Sequence, residues 1–307
     1  MVRRPGSQYE MLVIGGGLCG LSAAHHAARC GARTILLEPG LFGGEVSTVE
    51  HLDGLPGAGV VSGAALAADL ADKCREIGVV IVEATAGRLT SNAGVEVASS
   101  GGGRAYRAKT AIVASGARLR MLDAPGAVEF VGRGVSQCAS CDGPLFKDED
   151  VVVVGAGDAA AQEACVLAGF CGTVTIVCRS PMKAKRRYVE ALSTASNVRF
   201  IWSSEVDAVL GEQFVTAIRL RSRKDGSITE LPCAAVFPFV GTAPNSGFLP
   251  PELLNSGGYV ETGPDFRTKD MNVFAAGAVR SGYGGQIAQA VGEGVSAAAE
   301  ALKAVNR

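Results

Sequence analysis

The sequence predicts an α/β protein built of two three-layer units, the second inserted in the first. Three observations predict it. A strand, a G-x-G-x-x-G turn, a helix and another strand follow one another near the start of the chain. The same succession returns from residue 150. Strand and helix segments near the C-terminus are then left over to complete the first unit. The length agrees, because 307 residues make two domains at roughly 150 residues each.

The first element is Tyr9 to Ile14, a short apolar run with the pattern of a buried parallel strand. Gly15-Gly16-Gly17-Leu18-Cys19-Gly20 follows. Leu21 to Cys30 is Ala-rich and helix-forming, and Gly31 closes it. Thr34 to Glu38 is the next strand and ends in an acid. All of this falls within about 30 residues, the context that a dinucleotide-binding turn requires. Gly15 permits a tight turn, Gly17 lets the backbone approach a pyrophosphate, and Gly20 lets the helix pack close to the strand. The helix N-terminus offers N–H groups and a positive dipole end to phosphate. Glu38 stands where a carboxylate can accept both ribose hydroxyls. The competing reading is a glycine-rich turn without a ligand; strand, helix and acid together argue against it.

Ser62 to Ile77 reads as an amphipathic helix with Ser at its start. Thr110 to Gly116 is a strand whose small exit residues allow a flavin or adenine ring to approach. Asp150 to Val154 is again a strand, followed by Gly155-Ala156-Gly157-Asp158-Ala159-Ala160 with Ala in the third place. A helical run covers Ala161 to Leu167, and Thr173 to Cys178 is the next strand. The second unit therefore duplicates the first at about a domain's distance, and the chain most simply holds two dinucleotides. Where Glu38 closes the first unit, the second has Cys178-Arg179-Ser180, with Lys183, Lys185, Arg186 and Arg187 close behind. A carboxylate there favours NAD. A guanidinium suits a 2′-phosphate, which favours NADPH. The competing reading of these charges is a solvated helix start. Val236 to Val240 with Gly241 to Asn245 looks like a chain crossover, Val273 to Gly277 like a strand with a small-residue exit, and Gln286 to Val305 like an Ala-rich helix. Residues 1–118 and 242–307 are thus expected to form one discontinuous domain, and 119–241 the inserted one.

Nine cysteines are scattered along the chain, an odd number that does not look like a secreted disulfide framework. Most are expected to be buried thiols acting as small apolar side chains. One pair stands at C-x-x-C spacing, Cys138 and Cys141, just before the second unit. Small residues between the thiols let both sulfurs meet in a short turn and cycle between dithiol and disulfide. A short helix starting there would lower a thiol pKa. Asp142 is a candidate proton donor or acceptor. A zinc site would want two further ligands, but the three histidines lie far upstream and no second C-x-x-C exists, so no metal is expected.

Composition excludes other classes. The chain is 48% hydrophobic and 19% charged, which excludes a disordered polymer. Its 41 glycines have no triplet period, which excludes collagen. A net charge of −1 gives no reason to expect nucleic acid or an anionic membrane as partner. No apolar run approaches the ~18 residues of a membrane span. The basic start lacks the apolar stretch of a signal peptide, so a cytoplasmic location is expected.

Cys138-Ala139-Ser140-Cys141-Asp142-Gly143 is one substitution from the C-A-T-C-D-G of the low-molecular-weight thioredoxin reductase family. Gly155 to Ala164 resembles that family's G-G-G-D-S-A-x-E-E-A. Leu55-Pro56-Gly57 and Val273 to Gly277 fall where family counterparts do. Cys141 to Phe146 also resembles the reductase part of the alkyl hydroperoxide reductase flavoprotein. The resemblance runs over nearly the whole chain. It implies two Rossmann-like dinucleotide-binding domains and a flavin-dependent thiol–disulfide oxidoreductase. FAD would lie on Gly15, Gly17, Gly20 and Glu38, with Gly277, Ala278 and Gln286 near it. NADPH would lie on Gly155, Gly157, Ala160 and Arg179. Cys141 would be the flavin-side thiol, Cys138 the thiol that attacks the substrate disulfide, and Asp142 the acid–base residue. A thioredoxin-like protein or a small disulfide or dithiol is the implied partner, and a homodimer the implied assembly. Domain rotation about hinges near 117–120 and 241–245 is implied as well.

Three departures from that pattern stand out. The family's A-G-D strand exit is here Gly277-Ala278; a lost charge-assisted hydrogen bond costs about 1.5–3 kcal/mol. Its H-R-R-x-x-x-R signature becomes Cys178-Arg179-Ser180-Pro181-Met182-Lys183-Ala184, with one of three arginines in place, although Lys183 or Lys185 can serve as a point charge. The arginine before its final glutamine is Gly285. A dithiol oxidase passing electrons to oxygen, and a ferredoxin-fed relative that does not use NADPH, are therefore kept as alternatives, beside a non-catalytic flavoprotein used for binding.

Overall fold

The computed structural model describes residues 9–49, 52, 55, 61–92, 94–101 and 103–305. The chain divides into two compact units, residues 1–118 with 243–307, and residues 119–242. Pro56 and Gly57 lie outside the described residues.

The first unit starts with β1 (Tyr9–Ile14), α1 (Leu18–Arg29) and β2 (Thr34–Glu38). Helix α2 (Gly63–Glu76) follows, capped by Ser62, whose hydroxyl accepts the Ala65 N–H at 3.1 Å, as the sequence predicts. Then come β3 (Val80–Glu83), β4 (Ala86–Ser91), β5 (Val95–Ser99), β6 (Ala105–Val113) and β7 (Ala117–Leu119). Parallel strands run in the order β3-β2-β1-β6. Strand β6 serves two partners on its far edge. Its first half pairs antiparallel with β5 over residues 105–108. Its second half pairs parallel with a strand that arrives only near the C-terminus.

The second unit holds α3 (Ala139–Asp142), β8 (Asp150–Val154), α4 (Asp158–Ala168), β9 (Thr173–Cys178), α5 (Arg186–Thr194) and β10 (Val198–Trp202). It continues with β11 (Ser204–Gly211), β12 (Val215–Ser222), β13 (Ile228–Pro232) and β14 (Ala235–Pro238). Its parallel sheet has the order β10-β9-β8-β14, and β11-β12-β13 form a separate antiparallel sheet. The chain passes back to the first unit in β15 (Thr242–Pro244) and ends with β16 (Val273–Ala275) and α6 (Ile287–Val305).

Strand alternation sets the layers of each unit. Met11 and Val13 face a core shared with α1, α2 and α6, while Leu12 and Ile14 face a core shared with Leu89, Val95 and Val97. In the second unit Val151 and Val153 pack towards α4, and Val152 and Val154 towards Val209, Ile218 and Leu220 of the antiparallel sheet. Each unit is therefore helix, parallel sheet, then antiparallel strands. The central residues are fully buried, Phe274 and Phe237 among them.

Element boundaries moved where turn geometry decided them. Helix α1 begins at Leu18, not Leu21, because the glycine turn is already its first turn. Helix α4 begins at Asp158 for the same reason. Strand β6 ends at Val113 and β16 at Ala275, so their small exit residues lie beyond the strands rather than in them. The sequence reading leaves out β3 to β5 and β11 to β13. Val95 and Val97 in β5 and Ile218 and Leu220 in β12 do alternate with polar residues, and Gly94 and Gly226, both with positive φ, make turns between these strands.

Candidate active site

At the first turn, Gly15 has φ +106°, and a Cβ there would lie 2.4 Å from the Ala114 carbonyl oxygen. A Cβ on Gly20 would lie 1.9 Å from the Gly15 carbonyl oxygen. These two glycines are required by the fold itself. Gly17 differs. It is the N-cap of α1, no side chain caps that helix, and the nearest atom to a Cβ built there is the Gly43 carbonyl oxygen at 3.8 Å. Its outer face is open, which is the cradle a pyrophosphate needs. Glu38 stands beside it: Oε2 accepts the Gly16 N–H at 2.6 Å and Oε1 accepts the Gly40 N–H at 2.9 Å. A carboxylate held so at the end of β2 fits a ribose.

Gly277 comes to the same place from the C-terminal end of the chain. It has φ +76°, and a Cβ there would lie 3.0 Å from Cys19 Sγ in the first turn of α1. Its N–H donates to Glu293 Oε2 at 2.8 Å. Glu293 is buried and is shared further: Arg280 Nη2 donates to Oε1 and Nε to Oε2, and Gln289 Nε2 donates to Oε1 at 2.8 Å. Burial pushes the Glu293 carboxyl up, but the Arg280, Gly277 and Gln289 donors outweigh it and hold it below its ordinary value. Ala278 lies in the 3₁₀ turn over Gly277–Val279 and offers no side-chain acceptor. Gln286 stands just before α6, and its carbonyl oxygen accepts the Tyr283 hydroxyl at 2.8 Å. Gly15, Gly17, Gly20, Glu38 and Gly277 thus meet around one helix start, an arrangement that fits a bound dinucleotide such as FAD, while residues 278 and 285 lack the charged side chains of the family pattern.

The strand exit before this turn is fixed by Asn245. Ser115 Oγ donates to the Asn245 carbonyl at 2.7 Å, and Asn245 Nδ2 donates to the Ser115 carbonyl at 3.0 Å.

The second unit repeats the construction. Gly155 has φ +146°, and a Cβ there would lie 2.4 Å from the Phe239 carbonyl oxygen and 2.9 Å from Ala160 Cβ. Gly157 is the N-cap of α4 and has nothing within 4 Å of a Cβ position. A third glycine is not needed, because Ala160 is accommodated fully buried. Arg179 follows β9 and is exposed. Cys178, which stands for the family's histidine, turns inward: its thiol donates to the Gly155 carbonyl at 3.5 Å, and burial pushes its pKa up to about 11. The basic run beyond is largely occupied. Lys185 Nζ lies 3.7 Å from Asp158 Oδ2, and Arg186 Nε lies 2.6 Å from Glu190 Oε1.

Cys138 and Cys141 form a disulfide. Cys138 is the N-cap of α3, and its Sγ accepts the Cys141 N–H at 3.2 Å. The Ser136 hydroxyl oxygen accepts the Cys138 N–H at 3.1 Å. Asp142 closes the turn, its N–H donating to the Cys138 carbonyl at 3.1 Å. Glu163 holds the turn from α4: Oε2 accepts the Ala139 N–H at 2.9 Å. The redox turn is thus tied to the helix that opens the second glycine turn. Glu163 falls at the ninth place of the segment that resembles G-G-G-D-S-A-x-E-E-A, but nothing in that segment names Ala139 as its partner. Glu293 carries no signature of its own, and its helix also holds Glu300 and Lys303. Of the other cysteines, Cys19, Cys74, Cys171 and Cys233 are buried, and burial pushes each thiol up, Cys233 to about 12. Thiols so raised are inert at neutral pH.

The sequence profile of the pyridine nucleotide-disulphide oxidoreductase family matches residues 9–294. A thioredoxin reductase of Treponema pallidum is 36% identical over 294 residues, covering 95% of either chain. One of Listeria innocua is 33% identical over 300 residues, 97% of this chain and 94% of the other. Among solved structures, the thioredoxin reductase of Lactococcus lactis superposes with a TM-score of 0.92 at 30% identity, covering 97% of this chain and 99% of that one. The thioredoxin reductase of T. acidophilum gives 0.88 at 28% identity, over 96% and 98%.

Proposed function

This chain belongs to the pyridine nucleotide-disulphide oxidoreductase family, in its thioredoxin reductase branch, and on that premise we propose the following assignment of its residues. It is a flavoprotein thiol–disulfide oxidoreductase of a family that uses FAD and NADPH. Residues 1–118 with 242–307 carry FAD, and 119–241 carry NADPH and the redox pair. Bound FAD supplies a two-electron relay, and NADPH the hydride that feeds it.

Within the first unit, the open N-terminus of α1 at Gly17 binds the pyrophosphate, Gly15 and Gly20 let the turn close, and Glu38 orients the ribose. Gly277, Ala278 and Gln286 border the flavin. In the second unit Gly155, Gly157 and Ala160 form the nucleotide turn, and Arg179 meets the 2′-phosphate. Cys141 is the thiol that exchanges electrons with the flavin side. Cys138 as thiolate attacks one sulfur of the substrate disulfide; its sulfur is then joined to the substrate, and the Cys141 thiolate displaces that bond, closing the Cys138–Cys141 disulfide and releasing a substrate dithiol. Asp142 supplies and takes the proton at the leaving sulfur.

A thioredoxin-like protein is the partner this reading favours, with a homodimer as the working assembly, the cytoplasm as its place, and the crossings near 117–120 and 241–245 as hinges. Among the described residues no helix is long and apolar enough to cross a membrane. The observation that carries the reading is the Cys138–Cys141 disulfide held by the nucleotide helix through Glu163.

The test is anaerobic stopped-flow of the FAD-loaded protein, following visible flavin absorbance. Fast bleaching by NADPH, then reoxidation by a disulfide protein, is expected. Bleaching by a dithiol but by neither NADPH nor NADH, with recovery in air, would replace the reductase by an oxidase.

A further inference from the structure

The exit of β9 carries one arginine, Arg179, followed by a neutral Ser180. Of the basic residues beyond it, Lys183 is exposed, and the other three face partners of their own. Lys185 faces Asp158, and Arg186 faces Glu190. Arg187 lies over the Tyr188 ring, 4.6 Å from its centroid. One guanidinium offsets half the charge of a dianionic 2′-phosphate, and a second can pair with its remaining oxygens.

Charge arrives from another sheet. Arg223 follows β12 in the turn towards β13. Its N–H donates to the Ser203 carbonyl at 2.7 Å, which fixes its backbone against the connection between β10 and β11. Its side chain then returns to the end of β9: Nη1 donates to the Arg179 carbonyl oxygen at 3.4 Å. On its other edge Nε faces Glu205 Oε2 at 3.9 Å. The guanidinium is about half exposed, at 51%. One edge is thereby anchored on the Arg179 backbone, the Nε edge leans on Glu205, and the remaining Nη2 donors are available at the surface where Arg179 and Ser180 emerge.

We propose that Arg223 is a specificity-determining residue for NADPH, a second guanidinium for the 2′-phosphate supplied by the antiparallel sheet rather than by the strand exit. The inference rests on the second glycine turn being the NADPH site. Two planar forks and the Ser180 hydroxyl surround one phosphate, and the anion relieves the repulsion between the two cations. The arrangement sets a charge at residue 223 where the thioredoxin reductase pattern has one at residue 180.

Calorimetric titration of the FAD-loaded protein with 2′,5′-ADP and, separately, 5′-AMP tests this without any redox step. The wild-type chain is expected to prefer 2′,5′-ADP. Arg223→Gln is expected to lose about tenfold in affinity for 2′,5′-ADP, with 5′-AMP unchanged, as for one charge-assisted hydrogen bond. Arg223→Lys should fall between them. Unchanged 2′,5′-ADP binding in Arg223→Gln, with the wild-type preference intact, overturns the proposal and leaves the NADPH reading standing. An equal loss of both ligands overturns it too, because it marks a structural role. A wild-type chain that shows no preference for 2′,5′-ADP overturns the NADPH reading, and the role of Arg223 with it.

Discussion

Glu163 accepts the backbone N–H of Ala139 at 2.9 Å, so a carboxylate on the second nucleotide helix holds the turn between the two redox cysteines. Ala139 is fully buried, and its N–H takes the Glu163 carboxylate as acceptor. Glu163→Ala leaves the N–H unsatisfied and should cost about 1–3 kcal/mol. Glu163→Gln keeps a carbonyl acceptor and should cost less. Thermal unfolding of the two variants checks the order. A redox titration of the Cys138–Cys141 couple should move in Glu163→Ala and stay near wild type in Glu163→Gln.

Two carboxyls should titrate stability in opposite directions. Glu293 is held below its ordinary 4.5, burial being outweighed by Arg280, Gly277 and Gln289. Its contribution is present above the unfolded value and is lost as pH falls through the folded one. Glu163 is pushed above 4.5 by burial, partly offset by the Ala139 N–H. Its contribution is complete below the unfolded value and is lost as pH rises through the folded one. Melting curves over the acid range should therefore flatten at their low end in Glu293→Gln and at their upper end in Glu163→Gln. Identical pH profiles in both variants and wild type would contradict the assignment.

The glycines of the first turn should separate folding from binding. Gly20→Ala places a methyl 1.9 Å from the Gly15 carbonyl oxygen and should destabilise the chain, read as a lowered Tm of the apoprotein. Gly17→Ala meets nothing nearer than 3.8 Å. Its apoprotein should melt within about 0.5 kcal/mol of wild type, while its FAD content after purification falls.

Ala278→Asp introduces the carboxylate that the thioredoxin reductase pattern places at the exit of β16. One charge-assisted hydrogen bond to the flavin nucleotide is worth about tenfold or more in affinity. Fluorescence titration of apoprotein with FAD should show the tightening, and no change would mean that residue 278 does not face the cofactor.

Cys138→Ser and Cys141→Ser should each abolish turnover of a disulfide substrate while leaving flavin reduction by NADPH intact. Only Cys141→Ser, which keeps the attacking thiol, should trap a mixed disulfide with the partner, visible on non-reducing gels.

Much of this was legible in the chain. Gly15 and Gly155 announced their turns because a positive φ against a neighbouring backbone admits no other residue. The C-x-x-C spacing announced the redox pair because sulfurs three residues apart meet in one turn. The Ser62 cap was readable because a side-chain oxygen reaches an N–H three residues on. All of these are local relationships, set by residues close in sequence. The rest was decided in three dimensions. Nothing near Ala139 in sequence names Glu163 as its acceptor, nothing near Gly277 names Glu293, and Ser180 gives no hint of Arg223. Those partners are joined only because the packing of helices and sheets brings distant segments together. There, buried N–H groups and converging charges must find partners wherever the fold supplies them.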